Sequence, residues 1–320
     1  MNRPPSKRNY MNPFTQEALH GVWSAMPTPW KKDGSLDRKI FAADIARVCD
    51  AGVHGIYTGG TTGEFYAQDF DLFCEVNEWM VKTAHGHGTP MQAGCTALDT
   101  AQAQKRAAVA RKIGADVIQI ALPFWLELDD EEVVAFFEAI AEAAGATPIV
   151  HYDTGRSKRR ISPQLYQRIC KRVPTLWGTK FGSSDLWAIK CIASVNPGLS
   201  VFTGESIFAS ATPMGATGMY SAFVNVNPKW MLNYYDACRL GDWQRAFHLQ
   251  DEACMLLLGL NRLATPNLQD TALDRLLGQL AGFLKCPLAG KPPYRSGTKE
   301  DLRRWRTWVK EKLPHVLELG

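Results

Sequence analysis

The sequence predicts an α/β chain, a (β/α)8 TIM barrel with a C-terminal helical extension. Three observations predict it: eight short β-branched or apolar runs after Gly21, longer amphipathic stretches between them, and a closing segment that is helical in period and carries no strand. Strands joined through helices make right-handed crossovers, and eight in succession close into a barrel. A doubly wound open sheet is the other arrangement compatible with the same alternation.

The runs begin near Val22 (GVWSAMPTPW), Val53 (VHGIYTGG), Pro90 (PMQAGC), Ala115 (ADVIQIALP), Thr147 (TPIVHYD), Thr175 (TLWGTK), Leu199 (LSVFTGE) and Ala216 (ATGMYSAF). Between them, Leu36 to Ala51, Asp71 to His85, Asp99 to Ile113 and Asp130 to Ala144 carry apolar residues three and four apart, the spacing of a helix with one buried face. Asp130 ahead of EEVVAFFEAIAEAA offers an N-cap oxygen, and Gly145 a stop. From Asn227 to Gly282 the pattern stays helical, and Leu302 to Leu313 adds a charged amphipathic helix, more than an eighth barrel helix needs. We therefore expect residues 1–18 as a flexible arm, 19–226 as the barrel through strand eight, and 227–320 as the last barrel helix plus the extension.

With 46% hydrophobic and 21% charged residues in a chain of 320, there are enough apolar side chains for a sizeable core. A net charge of +4 is too dilute to mark a nucleic-acid or membrane partner, since both need concentrated basic surface. Only Arg156-Ser157-Lys158-Arg159-Arg160 is concentrated, and it reads as a solvated loop or as an anion contact. The eight cysteines show no C-x-x-C pair and no fixed spacing, as reduced thiols of a cytoplasmic protein do. His85 and His87 sit beside glycines where a loop is expected, so no helical face joins them to further ligands and no metal is expected. The opening MNRPPSKRNYMNPF lacks the apolar centre of a secretory signal, and no apolar segment approaches the roughly 18 residues that span a bilayer.

Barrel chemistry sits at the C-terminal ends of the strands, where the βα loops converge. TLWGTKFGSS places Lys180 at the end of the sixth run. A lysine leaning into a barrel mouth loses hydration, which favours the neutral amine and makes it a nucleophile toward a carbonyl carbon. Tyr152 ends the fifth run in IVHYD, one strand away, where its phenol could move protons to or from a carbinolamine on Lys180. The second run leads into TGGTTGEF, Thr58 to Phe65, whose backbone N–H groups and hydroxyls suit an anion. No Gly-Lys-Ser/Thr follows, so a small carboxylate fits better than a nucleotide. Singly, these read as a surface lysine, a packed aromatic and a glycine-rich turn with Glu64 in the first helical turn; an amine and a phenol on adjacent strand ends weigh more together.

Gly60-Thr61-Thr62-Gly63-Glu64 after the second strand, Tyr152 after the fifth and Lys180 after the sixth make the chain resemble the dihydrodipicolinate synthase and N-acetylneuraminate lyase family of Schiff-base-forming class I lyases. The resemblance runs from about Gly21 to Lys312 and takes in CPLAGKPPY. It implies that Lys180 condenses with the keto carbon of pyruvate or another 2-oxo acid. It further implies that Thr61 and Thr62, with Gly60, hold the carboxylate, that Tyr152 moves the protons, and that Gly204 of FTGE lines the pyruvate pocket. No metal or organic cofactor is implied, because the protonated imine is itself the electron sink. An aldehyde is the implied second partner, and a homotetramer built as a dimer of dimers the implied assembly.

Two departures from the family bear on the substrate. ALPFWLELDD puts Trp125 where the synthases carry a tyrosine that reaches the neighbouring subunit's site, and an indole has no acidic proton to relay. The chain is thus expected not to be a true dihydrodipicolinate synthase. After Tyr152 it reads Asp153-Thr154-Gly155-Arg156, about one residue shorter than the synthases' Tyr-Asn-x-Pro-x-Arg. Arg156 remains the candidate clamp for a second carboxylate, with Lys158 and Arg159 as contacts for an acidic tail. The Pro-x-Trp after the fourth strand is similar to that of the hydratase-aldolase branch, which acts on aromatic benzylidenepyruvate-type acids and where Trp125 would stack on a ring. Tyr220, Phe223 and Asn225 follow the eighth strand and are candidates for the distal pocket, although ordinary core packing explains the first two equally well. Two rival readings stand beside these: a catalytically silent barrel that binds a 2-oxo acid, and a phosphate-binding barrel enzyme using Thr61, Thr62 and the basic run, for which a phosphate loop after strands seven and eight is lacking.

Overall fold

In the computed structural model, which describes residues 14–319, eight parallel strands pair in sequence order and close on themselves. They are β1 (Gly21–Ala25), β2 (Gly55–Thr58), β3 (Met91–Gly94), β4 (Val117–Ile120), β5 (Ile149–Asp153), β6 (Leu176–Phe181), β7 (Ser200–Thr203) and β8 (Ala216–Ser221). Trp23 pairs with Tyr220 and Ser24 with Ser221 across β1 and β8, which closes the barrel and excludes the open sheet. Every residue of β1, β2, β3, β4 and β7 is buried. Helices cover the outside of these five strands and side chains fill the inside, so neither of their faces meets water.

The helices between strands are α1 (Arg38–Asp50), α2 (Phe70–Gly86), α3 (Thr100–Lys112), α4 (Asp130–Ala144), α5 (Pro163–Arg172), α6 (Leu186–Val195), α7 (Phe208–Ala211) and α8 (Pro228–Leu240). Their N-termini share the face of the barrel where the strands end, and Asp37, Asp69, Asp99, Asp129, Ser162, Asp185 and Asn227 each accept a first-turn N–H there. The cap of α4 is Asp129 rather than Asp130: Glu132 reaches back to the Asp129 N–H and completes a capping box, leaving Asp130 inside the first turn. His85 lies within α2 rather than in a loop, bonded to Asp116 at 2.9 Å, while His87 just beyond meets Asp50 at 2.8 Å. Among the described residues, no group of three or more His, Cys, Asp or Glu side chains is placed to hold a metal ion.

Trp23, Tyr57, Val117, Val150, Phe202 and Tyr220 fill the barrel interior. Trp23 fits because Gly55 stands opposite it; a Cβ there would lie 2.6 Å from the indole. Part of the expected arm, residues 1–13, lies outside the described residues. Its end is no arm: Phe14 packs edge-on against Trp23 at 6.2 Å between centroids, Gln16 donates to the Gly198 carbonyl, and Gln16–Ala18 is a short 3-10 turn. The partly buried Phe14 ring thus lies against the apolar cluster inside the barrel.

After α8 come α9 (Trp243–Leu263), α10 (Asp270–Leu280) and α11 (Lys299–Lys312). Thr298 and Asp301 make the capping box of α11, and Trp305 and Val309 bury its inner face. The start of α10 lies over the barrel mouth, where Thr271 Oγ1 donates to the Thr61 carbonyl at 3.5 Å. Among the described residues no helix is long and apolar enough to cross a membrane.

Candidate active site

Strand register alone brings the amine and the phenol together, because Tyr152 of β5 is the direct partner of Lys180 of β6. Alternation along β5 turns Tyr152 into the barrel with Val150 and sends His151 and Asp153 outward. There His151 bonds Tyr166 at 2.7 Å and Asp153 accepts from Arg160 at 3.0 Å. Lys180 Nζ donates to the Tyr57 hydroxyl at 2.9 Å and lies 4.3, 4.9 and 5.3 Å from the ring centroids of Tyr152, Tyr57 and Tyr220. The amine therefore ends in an aromatic cage, a setting that attracts a cation.

This electrostatics corrects the expected neutral amine. Burial by itself would lower the Lys180 pKa, but the Tyr152 and Tyr57 phenols outweigh it and the net direction is upward. Tyr152 moves the other way: the Lys180 charge holds its phenol below the usual tyrosine range against the effect of burial, with a smaller contribution from Thr61. Tyr57 is pushed up, chiefly by burial, and stays a phenol. Lys180 and Tyr152 thus form a pair in which the amine keeps its proton and the phenol is inclined to lose its own.

The loop after β2 is held from below and from the side. Gly59 has φ +73°, and a Cβ there would stand 2.5 Å from the Gly94 carbonyl oxygen, so only glycine passes. Thr28 and Gln68 side chains donate to the Gly63 carbonyl at 3.0 and 2.7 Å. Glu64 is not in a first helical turn. It takes φ +56°, and its buried carboxylate accepts from Trp30 Nε1 at 2.5 Å, the Lys291 N–H at 2.9 Å and the Arg275 guanidinium. Arg275 on α10 also donates to the carbonyls of Thr28 at 2.6 Å and Pro287 at 3.0 Å. Thr62 Oγ1 donates to Asp274 of the same helix at 2.5 Å.

Above Tyr152 opens a cavity of about 190 Å³, walled by Gly60, Thr61, Tyr152 and Arg156 on one side and by Phe65 and Phe124 on another. Arg156 is at the mouth, paired with Asp270 at 2.7 Å, both half exposed. Gly204 faces open space, with nothing within 4 Å of where a Cβ would project. Trp125 is outside this wall, 75% exposed, and Phe124 takes the place expected of it. Lys158 donates to the Trp125 carbonyl at 2.6 Å, and Arg159 to the Leu128 carbonyl at 2.5 Å and to Asp130 at 2.6 Å. Both therefore brace the loop before α4 instead of standing free for an acidic tail. Tyr220 lies beneath Lys180 rather than in the distal pocket; its hydroxyl donates to Gln92 at 2.6 Å. Asn225 joins Ser24 and the Ala25 carbonyl at 2.8 and 2.6 Å, and Phe223 stacks on Trp230.

Tyr57, Glu64, Asp274 and Arg275 belong to the site and were not singled out from sequence for these roles. Tyr57 has a readable signal, being an inward strand position two residues before Gly59. Asp274 and Arg275 have none, since they meet the loop across more than two hundred residues.

A closed βα barrel with a lysine and a tyrosine paired on adjacent strand ends, below a Gly-Thr-Thr-Gly-Glu turn, defines a class of barrel lyases. Residues 18–291 match the Dihydrodipicolinate synthetase family, and the chain belongs to that family. An uncharacterized DapA-like lyase of Halobacterium salinarum is 30% identical over 277 residues, 85% of this chain and 89% of the relative. A 4-hydroxy-tetrahydrodipicolinate synthase of Methanospirillum hungatei is 27% identical over 276 residues, 84% and 93% of the two chains. Among solved structures, the E. coli K12 prophage protein YagE, in complex with pyruvate, superposes with TM-score 0.82 over 94% of this chain and 99% of YagE; at 19% identity the likeness is one of fold.

Proposed function

We propose that the chain is a class I lyase that forms a Schiff base between Lys180 and pyruvate or another 2-oxo acid, and that it catalyses aldol cleavage, condensation or dehydration through the enamine. The observation that carries this reading is the pairing of Lys180 with Tyr152 at the barrel mouth, each shifting the other's proton affinity. Thr61 and Thr62, with Gly60, hold the carboxylate. Lys180 gives a proton to Tyr152, and the free amine adds to the keto carbon. One proton then moves from nitrogen to the new hydroxyl oxygen; a second, from Tyr152, expels that oxygen as water and leaves the protonated imine. Tyr57, bonded to Nζ, keeps the amine aimed at the cleft.

The aromatic hydratase-aldolase reading keeps support from residues other than Trp125. Phe65, Tyr66, Phe124 and Tyr294 surround the cavity, with Phe65 6.2 Å from Phe124 and Tyr66 5.1 Å from Tyr294. A ring on the second substrate would lie among these edges, and Arg156 would meet an acidic group at the mouth. Eight free cysteines favour a reducing compartment such as the cytoplasm. In a homotetramer, the indoles of Trp125 and Trp187, each 75% exposed, are surface that subunit contacts would cover.

Intact-mass analysis after pyruvate and borohydride should show one adduct on the wild type and none on Lys180→Ala. An adduct on both proteins, or none with pyruvate and longer 2-oxo acids alike, would sink the Schiff-base reading. The silent-barrel rival survives only if the imine is trapped yet no 2-oxo acid is turned over.

A further inference from the structure

The Thr62 hydroxyl has one proton, and in this structure Asp274 takes it, at 2.5 Å. A substrate carboxylate at the same loop needs that proton too, so the two acceptors compete. Asp274 comes from α10, outside the barrel, and borders a second cavity of roughly 250 Å³ at the barrel mouth together with Asp270, Glu205, Ser206 and Asn261. The cavity gives its carboxyl a route for proton exchange with solvent.

Resting on the lyase reading above, we propose that Asp274 is a positioning residue for the 2-oxo acid. As a neutral acid it donates to Thr62 Oγ1 and frees the hydroxyl proton for the substrate carboxylate; as a carboxylate it takes that proton and closes the carboxylate site.

The groups facing Asp274 set where this exchange falls. Burial first, then Asp270 of its own helix and Glu205 after β7, raise the pKa of its carboxyl, to about 7 in all. The Thr62 hydroxyl and the Lys180 ammonium of β6 oppose it. Tyr57 of β2 also senses the Asp274 charge and remains a neutral phenol. The neutral acid therefore predominates below pH 7 and the carboxylate above it. Substrate binding, which favours the protonated form, draws in a proton and weakens as pH rises.

The test is the pyruvate concentration that half-saturates borohydride-trapped adduct, measured from pH 6 to 9 on full-length wild type, Asp274→Asn and Asp274→Ala. The asparagine amide is uncharged and carries an N–H that can donate to Thr62 Oγ1, as the O–H of the neutral acid does, and so stands in for it. Relative to Asp274→Asn, the wild-type half-saturating concentration should rise about tenfold per pH unit above 7. Asp274→Asn should rescue the low-pH value, whereas Asp274→Ala, with nothing to orient Thr62, should be weaker by the same factor at every pH. Should Asp274→Asn fail to fold by circular dichroism, Thr62→Val carries the test, because it has no hydroxyl to redirect and should lose the same pH dependence. A wild-type to Asp274→Asn ratio that stays constant with pH overturns the proposal and leaves the lyase intact. A folded Asp274→Asn that forms no adduct also overturns it. Absence of adduct on the wild type at every pH removes the lyase reading itself, and this inference with it.

Discussion

Tyr152 and Lys180 are each shifted by the other, so removing the phenol should act on rate before it acts on binding. Tyr152→Phe keeps the ring beside Nζ at its 4.3 Å spacing and deletes only the proton carrier. Its imine-forming rate with pyruvate, followed by stopped flow, should fall by about 10² to 10⁴, the usual worth of one general acid-base group, with little change in half-saturation. Tyr57→Phe should cost less, since Tyr57 aims the amine and does not carry the proton. A Tyr152→Phe rate within a few-fold of wild type would move the proton role elsewhere. Tyr152 and Lys180 were legible as residues because both end strands, and strand ends face the mouth. The charge of the resting amine was not legible, because desolvation was visible in the sequence and the convergence of the Tyr152 and Tyr57 hydroxyls on Nζ, which overrides it, was not.

At the scale of elements, α10 does most to turn a barrel into a site. Along its N-terminal face Asp270 meets Arg156, Thr271 meets the Thr61 carbonyl, Asp274 meets Thr62 and Arg275 meets Glu64. The last pair is fully buried, and breaking one side of such a pair leaves the other charge without a partner. Glu64→Gln should therefore lose about 3 to 5 kcal/mol of stability in urea unfolding. Glu64→Gln combined with Arg275→Met should recover part of that loss, although the recovered protein should still bind pyruvate poorly because the loop has lost its brace. Equal loss in the single and double variants would deny the coupling. The eight strands and the long barrel helices were readable from period alone, and the structure moved only their ends, as at Asp129 and Asp130.

The whole molecule shows apolar surface that a lone barrel does not require. Trp125 and Leu126 project from the loop before α4, and Trp187 from the first turn of α6, all about three-quarters exposed. Exposed indoles are the kind of side chain that subunit contacts bury. Sedimentation should give a tetramer for the wild type and smaller species for Trp125→Glu and Trp187→Glu, with circular dichroism unchanged. A wild-type monomer at micromolar concentration would remove the homotetramer from the proposal.

The alternation of strands and helices, the strand ends that carry Lys180 and Tyr152, and the Gly-Thr-Thr-Gly-Glu turn were legible in the chain, since each depends on periodicity or on residues within one short stretch; closure into a barrel rather than an open sheet rests on the pairing of β1 with β8. Tertiary structure alone decided what surrounds them. Arg159 and Lys158 went to the loop before α4, Tyr220 went beneath the lysine, and Asp274 arrived beside Thr62 from a helix far along the chain. The physical reason is range: a strand or a turn is set by neighbours in the chain, whereas a hydrogen-bond partner or a shifted proton depends on which distant side chains packing brings within a few ångströms.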